Sequence, residues 1–401
     1  MAIEVFKTST ARGEGEVRSW ASLLDHNCRR QAEAISRAPI VEGYLALMPD
    51  AHFGFGPPVG SALKTRDALM PYAIGVDIGC GMIAVKTELE RFNLIGHEER
   101  ILEHIRKLIP SGMGNSHARP IHQAENFFHD HGWPVAEKNV LKGKDSFRAT
   151  AAIQFGTLGS GNHFVEVSVD ESDRVWLVLH SGSRGAGNQL ANFHVKVAQD
   201  LCAKQYIRLE SKEFAYVQRD TPQYDAYVHD MLWGQEYAAA QREAMMDNLI
   251  LAVELGVGLP VDSLATGVRV NCHHNYAEEI EPGLWLTRKG AINASVGMFG
   301  VVPGSMGTDT YIIAGLGNEE SYCTSPHGAG RLLGRNVARK TLDVEQFRED
   351  MAGRTWLNSY ADALLDEAPS AYKPIEVVMA DSVDLIRPVA KLSAVINYKG
   401  L

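Results

Sequence analysis

Gly75-Val76-Asp77-Ile78-Gly79-Cys80-Gly81 sets a carboxylate and a thiol three residues apart among three glycines, directly after the apolar Tyr72-Ala73-Ile74. Glycine admits positive φ and close backbone approach, so the stretch reads as a strand ending in a tight turn that aims Asp77 and Cys80 at one point. A metal ion suits such a point. Taken alone, the pair reads more simply as a small buried thiol beside a turn aspartate that bonds its own backbone. The company it keeps along the chain changes that balance.

Upstream, residues 17 to 37 are expected to form a helix, with Leu23, Leu24, Cys28 and Ala32 near helical spacing and Cys28 packed in a core. The apolar Tyr44-Leu45-Ala46-Leu47-Met48 reads as a strand that runs into Pro49-Asp50-Ala51-His52-Phe53-Gly54-Phe55-Gly56. Asp50 and His52 then share a face if the strand continues, because side chains alternate along a strand. Downstream, a helix is expected over Glu98 to Leu108. His117, His122, His129 and His131 follow it, but their neighbours are Asn, Gln, Asp and Glu with Pro120 and Pro134 nearby, so they read as solvated residues.

The next region is richer in chemistry. Gly156-Thr157-Leu158-Gly159-Ser160-Gly161-Asn162-His163 enters the strand Phe164-Val165-Glu166-Val167. A turn at Asp170-Glu171-Ser172-Asp173 leads to a second strand, Val175 to Leu179, ending in His180-Ser181-Gly182-Ser183-Arg184. A lone histidine of this kind is more often structural; two of them, each beside glycines at a strand end, point to ligands. Helices are expected over residues 188 to 207 and 224 to 256, the second with Met231, Met245 and Met246 as core packing. Val268 to Tyr276 is strand-like and carries the pair His273-His274, of which at most one can join a shared site because neighbours on a strand face opposite ways.

Near the C-terminus, Val302-Pro303-Gly304-Ser305-Met306-Gly307 offers small residues whose backbone N–H groups can form a nest for phosphate oxygens. His327-Gly328-Ala329-Gly330 precedes Arg331, Arg335 and Arg339, whose spacing predicts one basic face of a helix. A solvated face is the commoner meaning of such a stripe, yet a histidine in a glycine loop four residues earlier makes a phosphate path the sharper reading.

Composition bounds the function. The 401 residues, 45% hydrophobic and 22% charged, can bury a large core, and nothing marks a domain boundary. A formal charge of −10 argues against a protein that coats nucleic acid non-specifically. Five dispersed cysteines make no disulfide framework. The start of the chain lacks the pattern of a secretion signal and no stretch is long enough to span a bilayer, so a cytoplasmic location is expected and no membrane partner.

Asp77, Cys80, His163, His180 and one of His273 or His274 exceed a single tetrahedral site, and a thiolate can bridge two metals. Two adjacent metals with phosphate-binding loops point to phosphoryl transfer. His327 is left over as a nucleophile.

The runs MPDAHFGFG, GVDIGCGM, GTLGSGNHFVEV, HSGSRGAGN, NCHHNY, TRKGA, PGSMGT, GLGNEESYC and HGAGR, in this order from about Met48 to Gly400, resemble the RtcB family of RNA ligases in its bacterial single-domain form. The resemblance implies an α+β fold, central β-sheets flanked by helices around a dinuclear metal site, in one catalytic domain over residues 1–401. It implies joining of an RNA 3′-phosphate or 2′,3′-cyclic phosphate end to a 5′-hydroxyl end with GTP and Mn²⁺, in tRNA splicing or RNA repair, with an archease-like activator as a possible partner. Cys80 would be the bridging thiolate, with Asp77 and His163 at one metal and His180 and His274 at the other. His327 would carry GMP. Asn162, Glu166, Ser305, Tyr372 and Lys399 would hold GTP, together with Pro303, Gly304 and Met306 of one loop and Gly328, Ala329 and Gly330 of the other. Arg184 would meet RNA phosphate, as would Arg331 and Arg335 on the basic stripe. Two features depart from the family pattern: Pro326 precedes the nucleophile, where it fixes φ and removes an N–H donor, and Leu401 extends the end.

Three classes of function are compatible with these residues. A GTP-dependent ligase requires a covalent guanylate on His327. A dinuclear-metal phosphohydrolase acting on RNA ends would use the same ligands without that histidine. A non-catalytic RNA-end binder needs neither metal nor GTP and leaves the aligned reactive groups unexplained.

Overall fold

The computed structural model describes residues 1–400 apart from residues 12, 113, 141–146 and 263–266, so Leu401 lies outside the described residues. A six-stranded sheet runs in the order Glu4–Thr10, Gly13–Ser19, Val41–His52, Val59–Arg66, Leu284–Lys289 and Asn275–Glu281. An eight-stranded sheet runs Arg269–His273, Gly81–Glu90, Arg174–Ser181, Phe164–Val169, Ile386–Lys399, Thr310–Gly315 and Phe299–Pro303, with the short Thr355–Trp356 beside Ile386–Lys399. Helices pack outside both. The expected mixture of central sheets and flanking helices is therefore present.

Alternation along the strands divides the core. On Val41–His52, Leu45 and Leu47 face a core shared with the helices His26–Ser36 and Arg184–Lys204, while Ala46 and Met48 face Val302, Ile313 and Ile386 of the second sheet. On Gly81–Glu90, Ile83 and Val85 face the helices Glu98–Leu108 and Pro222–Val257, while Met82 and Ala84 face Val178, Val301 and Ile312. Both faces of each strand are thus covered, and each large apolar side chain so buried contributes about 1.5–3 kcal/mol.

The longest helix, Pro222–Val257, starts where Pro222 presets φ and Thr221 Oγ1 accepts the Tyr224 N–H, and it stops at Gly258 in the left-handed region with φ 76°. Its 36 residues span about 54 Å and carry the methionines into the core as expected. Glu98–Leu108 forms as expected, and the helix expected over 188 to 207 forms as Arg184–Lys204. Among the described residues no helix is long and apolar enough to cross a membrane.

Three local expectations differ from the structure. The helix expected over residues 17 to 37 is a strand up to Ser19, where Val17 to Ser19 pair in parallel with Leu45 to Leu47, and a helix only over His26–Ser36. Asp25 sets that boundary, since its carboxylate accepts the N–H groups of Asn27 and Cys28. The strand expected at Tyr72 to Ile74 is instead a single helical turn, Pro71–Ile74, because Pro71 presets the first helical φ. The basic stripe is not one helix face: the helix is Arg335–Thr341, and Arg331 lies before it in a bridge with Tyr372.

Replacing Asp25 by Ala removes the acceptor for two otherwise unpaired N–H groups. The expected outcome is a loss of about 1 kcal/mol of unfolding free energy, read from the urea midpoint. No change would mean that the helix start is held by packing alone.

Candidate active site

The site forms where strand register brings several chain segments to one end of the eight-stranded sheet. Gly81 pairs with Ser181 and with His273, Met82 pairs with His180, and Phe164 pairs with His180. Cys80, His163, His180 and His274 each sit at or one residue beyond these paired positions, so they meet. His274 is the residue at which the chain leaves one sheet for the other: Arg269–His273 pairs with Gly81–Glu90, and Asn275–Glu281 pairs with Leu284–Lys289. Its N–H donates to the Cys80 carbonyl at 2.7 Å, and its own carbonyl accepts the Ala291 N–H.

Two glycines make the turn possible. Gly79 has φ 71°, and a Cβ there would lie 2.7 Å from the Gln235 backbone of the long helix. At Gly182 a Cβ would lie 2.2 Å from an Asp77 carboxylate oxygen, so only glycine admits Asp77. The Asp77 carboxylate accepts from the Ser183 N–H at 2.9 Å and faces His163 Nε2 at 3.1 Å. Burial alone would push its carboxyl up, but His163 and the more distant Arg184 charge outweigh that and hold it at about 2.

The donor atoms form two groups that share a thiol. Cys80 Sγ, His180 and His274 make one, and Asp77, Cys80 and His163 make the other, with ligand atoms in each within 4.8 Å of one another. His180 Nε2 lies 2.9 Å from His274 Nε2 and 3.3 Å from Cys80 Sγ, and His163 Nε2 lies 3.5 Å from that sulfur. His163 Nδ1 donates to the Leu158 carbonyl at 2.8 Å, which turns Nε2 inward toward the carboxylate and the thiol. Burial, and then neighbouring imidazoles, hold His180 and His274 well below the usual histidine range, so both are neutral. Neutral imidazoles converging on a buried thiol and a carboxylate are the donor set of a transition-metal site, and these residues fit one. His273, the other member of the pair, turns away: its Nδ1 donates to the Gly79 carbonyl.

His274 also touches the expected nucleophile, His327, with ring centroids 4.6 Å apart and the rings tilted by 40°. His327 Nδ1 donates to Asp50 Oδ2 at 2.7 Å, and the His327 backbone N–H reaches the same oxygen at 3.1 Å. Asp50 is fully buried. This contact places the proton on Nδ1 and leaves Nε2 with a lone pair. His52 lies beside the same centre, and its Nδ1 donates to the Asp50 carbonyl. Pro326 ends a short strand, Thr324–Pro326, paired with Ala291–Asn293, and so sets the approach of His327.

A cavity of about 380 Å³ opens beside His327, His180 and His274. Asn162, Glu166, Tyr372 and Lys399 line it, as do Pro303 to Met306 and Gly328 to Arg331 with Arg335. Burial pushes the Glu166 carboxyl up to about 7, against the pull of Lys399, while Asn397 donates to it at 2.7 Å. The expected phosphate nest is partly used up inside its own loop, since Gly304 N–H bonds the Asp309 carbonyl and Ser305 N–H bonds Thr308 Oγ1.

The arginines do not form a free basic stripe. Arg331 and Arg335 both bond Glu367, and Arg335 and Arg339 bond Asp366. Glu367 also accepts from Tyr372 at 2.6 Å and pairs with Lys399 at 2.7 Å. Burial pushes its carboxyl up, but Lys399, Arg331 and Arg335 outweigh it and hold it down at about 2. Arg184 lies outside the cavity lining, with Nε donating to Thr157 Oγ1.

Asp366 and Glu367 carry no sequence signal of their own, and only the three-dimensional approach of three arginines reveals them. Arg242 was open to detection: it stands four residues after Ala238 and three and four before Met245 and Met246, on a buried helix face. Fully buried, it donates to the carbonyls of Gly79 at 2.8 Å and Ser181 at 3.1 Å and to Asn271 Oδ1 at 2.9 Å. One guanidinium thus ties together the turns that carry Cys80 and His180.

The family model described as tRNA-splicing ligase RtcB matches residues 31–400. The chain belongs to the RtcB family. It is 36% identical to the Escherichia coli protein named RNA-splicing ligase RtcB1, over 94% of this chain and 95% of that one. The RNA-splicing ligase RtcB of Escherichia coli strain K12 is 35% identical with the same coverage. The tRNA-splicing ligase RtcB of the archaeon Aeropyrum pernix is 26% identical over 92% of this chain and 91% of its own. Similarity to RtcB proteins therefore runs through every segment that builds the site, from Asp50 to Lys399.

Arg242→Met would take this donor from the buried Ser181 carbonyl and leave the Gly79 carbonyl to His273 alone, at about 1–3 kcal/mol for a buried group left unpaired. A loss of about 1–3 kcal/mol in unfolding free energy is expected from urea titration. An unchanged midpoint would remove Arg242 as the tie between the two turns.

Proposed function

We propose that the protein is a GTP- and Mn²⁺-dependent RNA ligase that joins RNA 3′-phosphate or 2′,3′-cyclic phosphate ends to 5′-hydroxyl ends through GMP carried on His327. The observation that carries this reading is His327 itself: its Nδ1 is bound to buried Asp50, and its ring lies tilted against His274, a histidine of the metal-ligand groups, in the lining of the cavity. Two metals are assigned, one to Asp77, Cys80 and His163 and one to Cys80, His180 and His274. When bound there, they supply Lewis-acid neutralisation of phosphate charge.

The remaining chemistry belongs to the chain. Nε2 of His327 attacks the α-phosphorus of GTP, forming a P–N bond as pyrophosphate leaves with the electrons of the broken P–O bond. Asp50 keeps the proton on Nδ1 and stabilises the ring as it gains positive character. An oxygen of the RNA 3′-phosphate then attacks the GMP phosphorus, returning the P–N electrons to His327 and giving an RNA-(3′)pp(5′)G end. The 5′-hydroxyl oxygen attacks the RNA-side phosphorus, loses its proton and displaces GMP. A cyclic phosphate is first opened by water to a 3′-phosphate.

Glu166, Asn397 and Lys399 line the cavity and fit a guanine edge, since a carboxylate accepts from its ring N–H and amino groups. Asn162, Ser305 and Tyr372 fit the sugar and phosphates. Arg331 and Arg335 act through Glu367 to place Tyr372 and Lys399, and Arg184 is assigned to RNA phosphate. The chain works as one catalytic domain over residues 1–401, in the cytoplasm, in tRNA splicing or RNA repair, and an archease-like activator is its proposed partner.

Incubation with α-labelled GTP and Mn²⁺ is expected to leave an acid-labile, alkali-stable label on the native protein and none on His327→Ala. No label on folded, metal-loaded native protein would move the reading to a dinuclear phosphohydrolase.

The Glu166 contact predicts a pH dependence. The ionised form accepts from guanine, so GTP affinity falls as the pH drops through about 7. Between about pH 7.5 and about pH 6 the ionised fraction, and with it the affinity, falls roughly eightfold. Isothermal titration should show this decline in native protein and not in Glu166→Gln; equal slopes would remove Glu166 from the guanine contact.

A further inference from the structure

One wall of the cavity has no role in the chemistry above. The loop after Val41–His52 carries Phe53 at 60% exposure and Phe55 at 74%, and Phe55 lines the cavity together with Val76, itself 36% exposed. Phe55 lines the cavity on the side of His52, Tyr72 and Gly75. An aromatic ring left in water beside a polar site is unusual, because burying it would be favourable and the chain has ample core to take it.

The loop is not loose. Gln31 Nε2 donates to the carbonyls of Gly54 and Gly56, Gly54 N–H returns to Gln31 Oε1 at 3.3 Å, and Gly56 N–H bonds Glu213 Oε2 at 2.6 Å. Lys289, almost fully buried, donates to the Phe55 carbonyl and to the Tyr72 carbonyl. Side chains from three separate elements therefore fix the backbone on both sides of Phe55 while its ring stays free. An uncovered ring on a fixed backbone at the edge of a site is partly pre-organised for a flat partner, since the backbone ordering cost has been met in folding.

We propose that Phe55 is a stacking platform for the base of the 3′-terminal nucleotide of the RNA to be joined. This deepens the ligase reading and rests on it. Glu166, Asn397 and Lys399 are assigned to guanine, which leaves Phe55, Val76 and Asp77 of the same lining for an RNA end. The 3′ end is chosen because it must be held through two successive steps, accepting GMP and then receiving the 5′-hydroxyl. Stacking is tolerant of base identity because every base has a π-face, which suits an enzyme that must accept varied ends. In a chain of net charge −10, it also grips RNA without adding positive charge.

The test uses the full, metal-loaded chain and a short RNA with a 3′-phosphate and 2-aminopurine as its last base. The native protein is expected to quench the probe on binding, and Phe55→Leu, a surface change, to lose the quenching and about tenfold in affinity. Phe55→Trp should retain both. With RNA lacking the terminal base, native and Phe55→Leu should bind alike, which separates stacking from general damage to the loop. Equal affinity of native and Phe55→Leu for the intact RNA would overturn the proposal and assign the ring to a protein partner. Quenching only when 2-aminopurine sits at the 5′-hydroxyl end would overturn the choice of end. If the native protein neither takes label from GTP nor binds 3′-phosphate RNA, the ligase reading itself fails; if it does both and Phe55→Leu is unaffected, only the platform fails.

Discussion

The antiparallel register that sets Met82 and Phe164 on either side of His180 is the constraint on which the site depends. A slip of one residue would turn Met82, Ala84 and Val178 out of one core and Ile83, Val85 and Leu179 out of the other. Burial on both faces therefore specifies the register, and the register brings Cys80, His163 and His180 together without any further device. The fourth donor, His274, comes from the crossing between sheets, where its amide is bound to the Cys80 carbonyl. Core packing and ligand geometry are one arrangement seen from two ends.

Desolvation then sets the chemistry. It holds the two histidines neutral, so their lone pairs are available, and it raises the Cys80 thiol well above its usual range, an effect to which Asp77 adds. A metal ion binding such a sulfur would displace its proton to solvent, so ligand binding and proton release would be coupled. The same dry surroundings strengthen the contact between His327 and Asp50 and fix which ring nitrogen is free to react.

Charge is distributed unevenly around the cavity. On one side, Arg331, Arg335, Arg339 and Lys399 are held by Asp366 and Glu367, so the basic residues position one another rather than presenting a bare cationic surface. Elsewhere the lining sets apolar Val59, Val76 and exposed Phe55 among His52, Asp77 and Lys289. An acidic protein can in this way meet a polyanion through orientation and stacking, with little non-specific attraction.

Much of the site was legible in the sequence because its donors sit in short glycine-bounded runs, and the turns that glycine permits are local. Asp77, Cys80, His163, His180 and His327 could all be named from such runs, and the long methionine-bearing helix followed from its periodicity. Asp25 shows that even a local helix boundary can be missed when a capping side chain is passed over. What the tertiary structure alone decided was long-range pairing. Spacing left His273 and His274 open until the family resemblance favoured His274, and the reason it faces the other donors is that the chain crosses between sheets at that residue. Asp50 reaches His327 across 277 positions of sequence, and Asp366 and Glu367 turn an apparent basic stripe into a closed ion-pair network. Spacing along the chain governs which side chains share a face; only the packing of distant segments governs which faces meet.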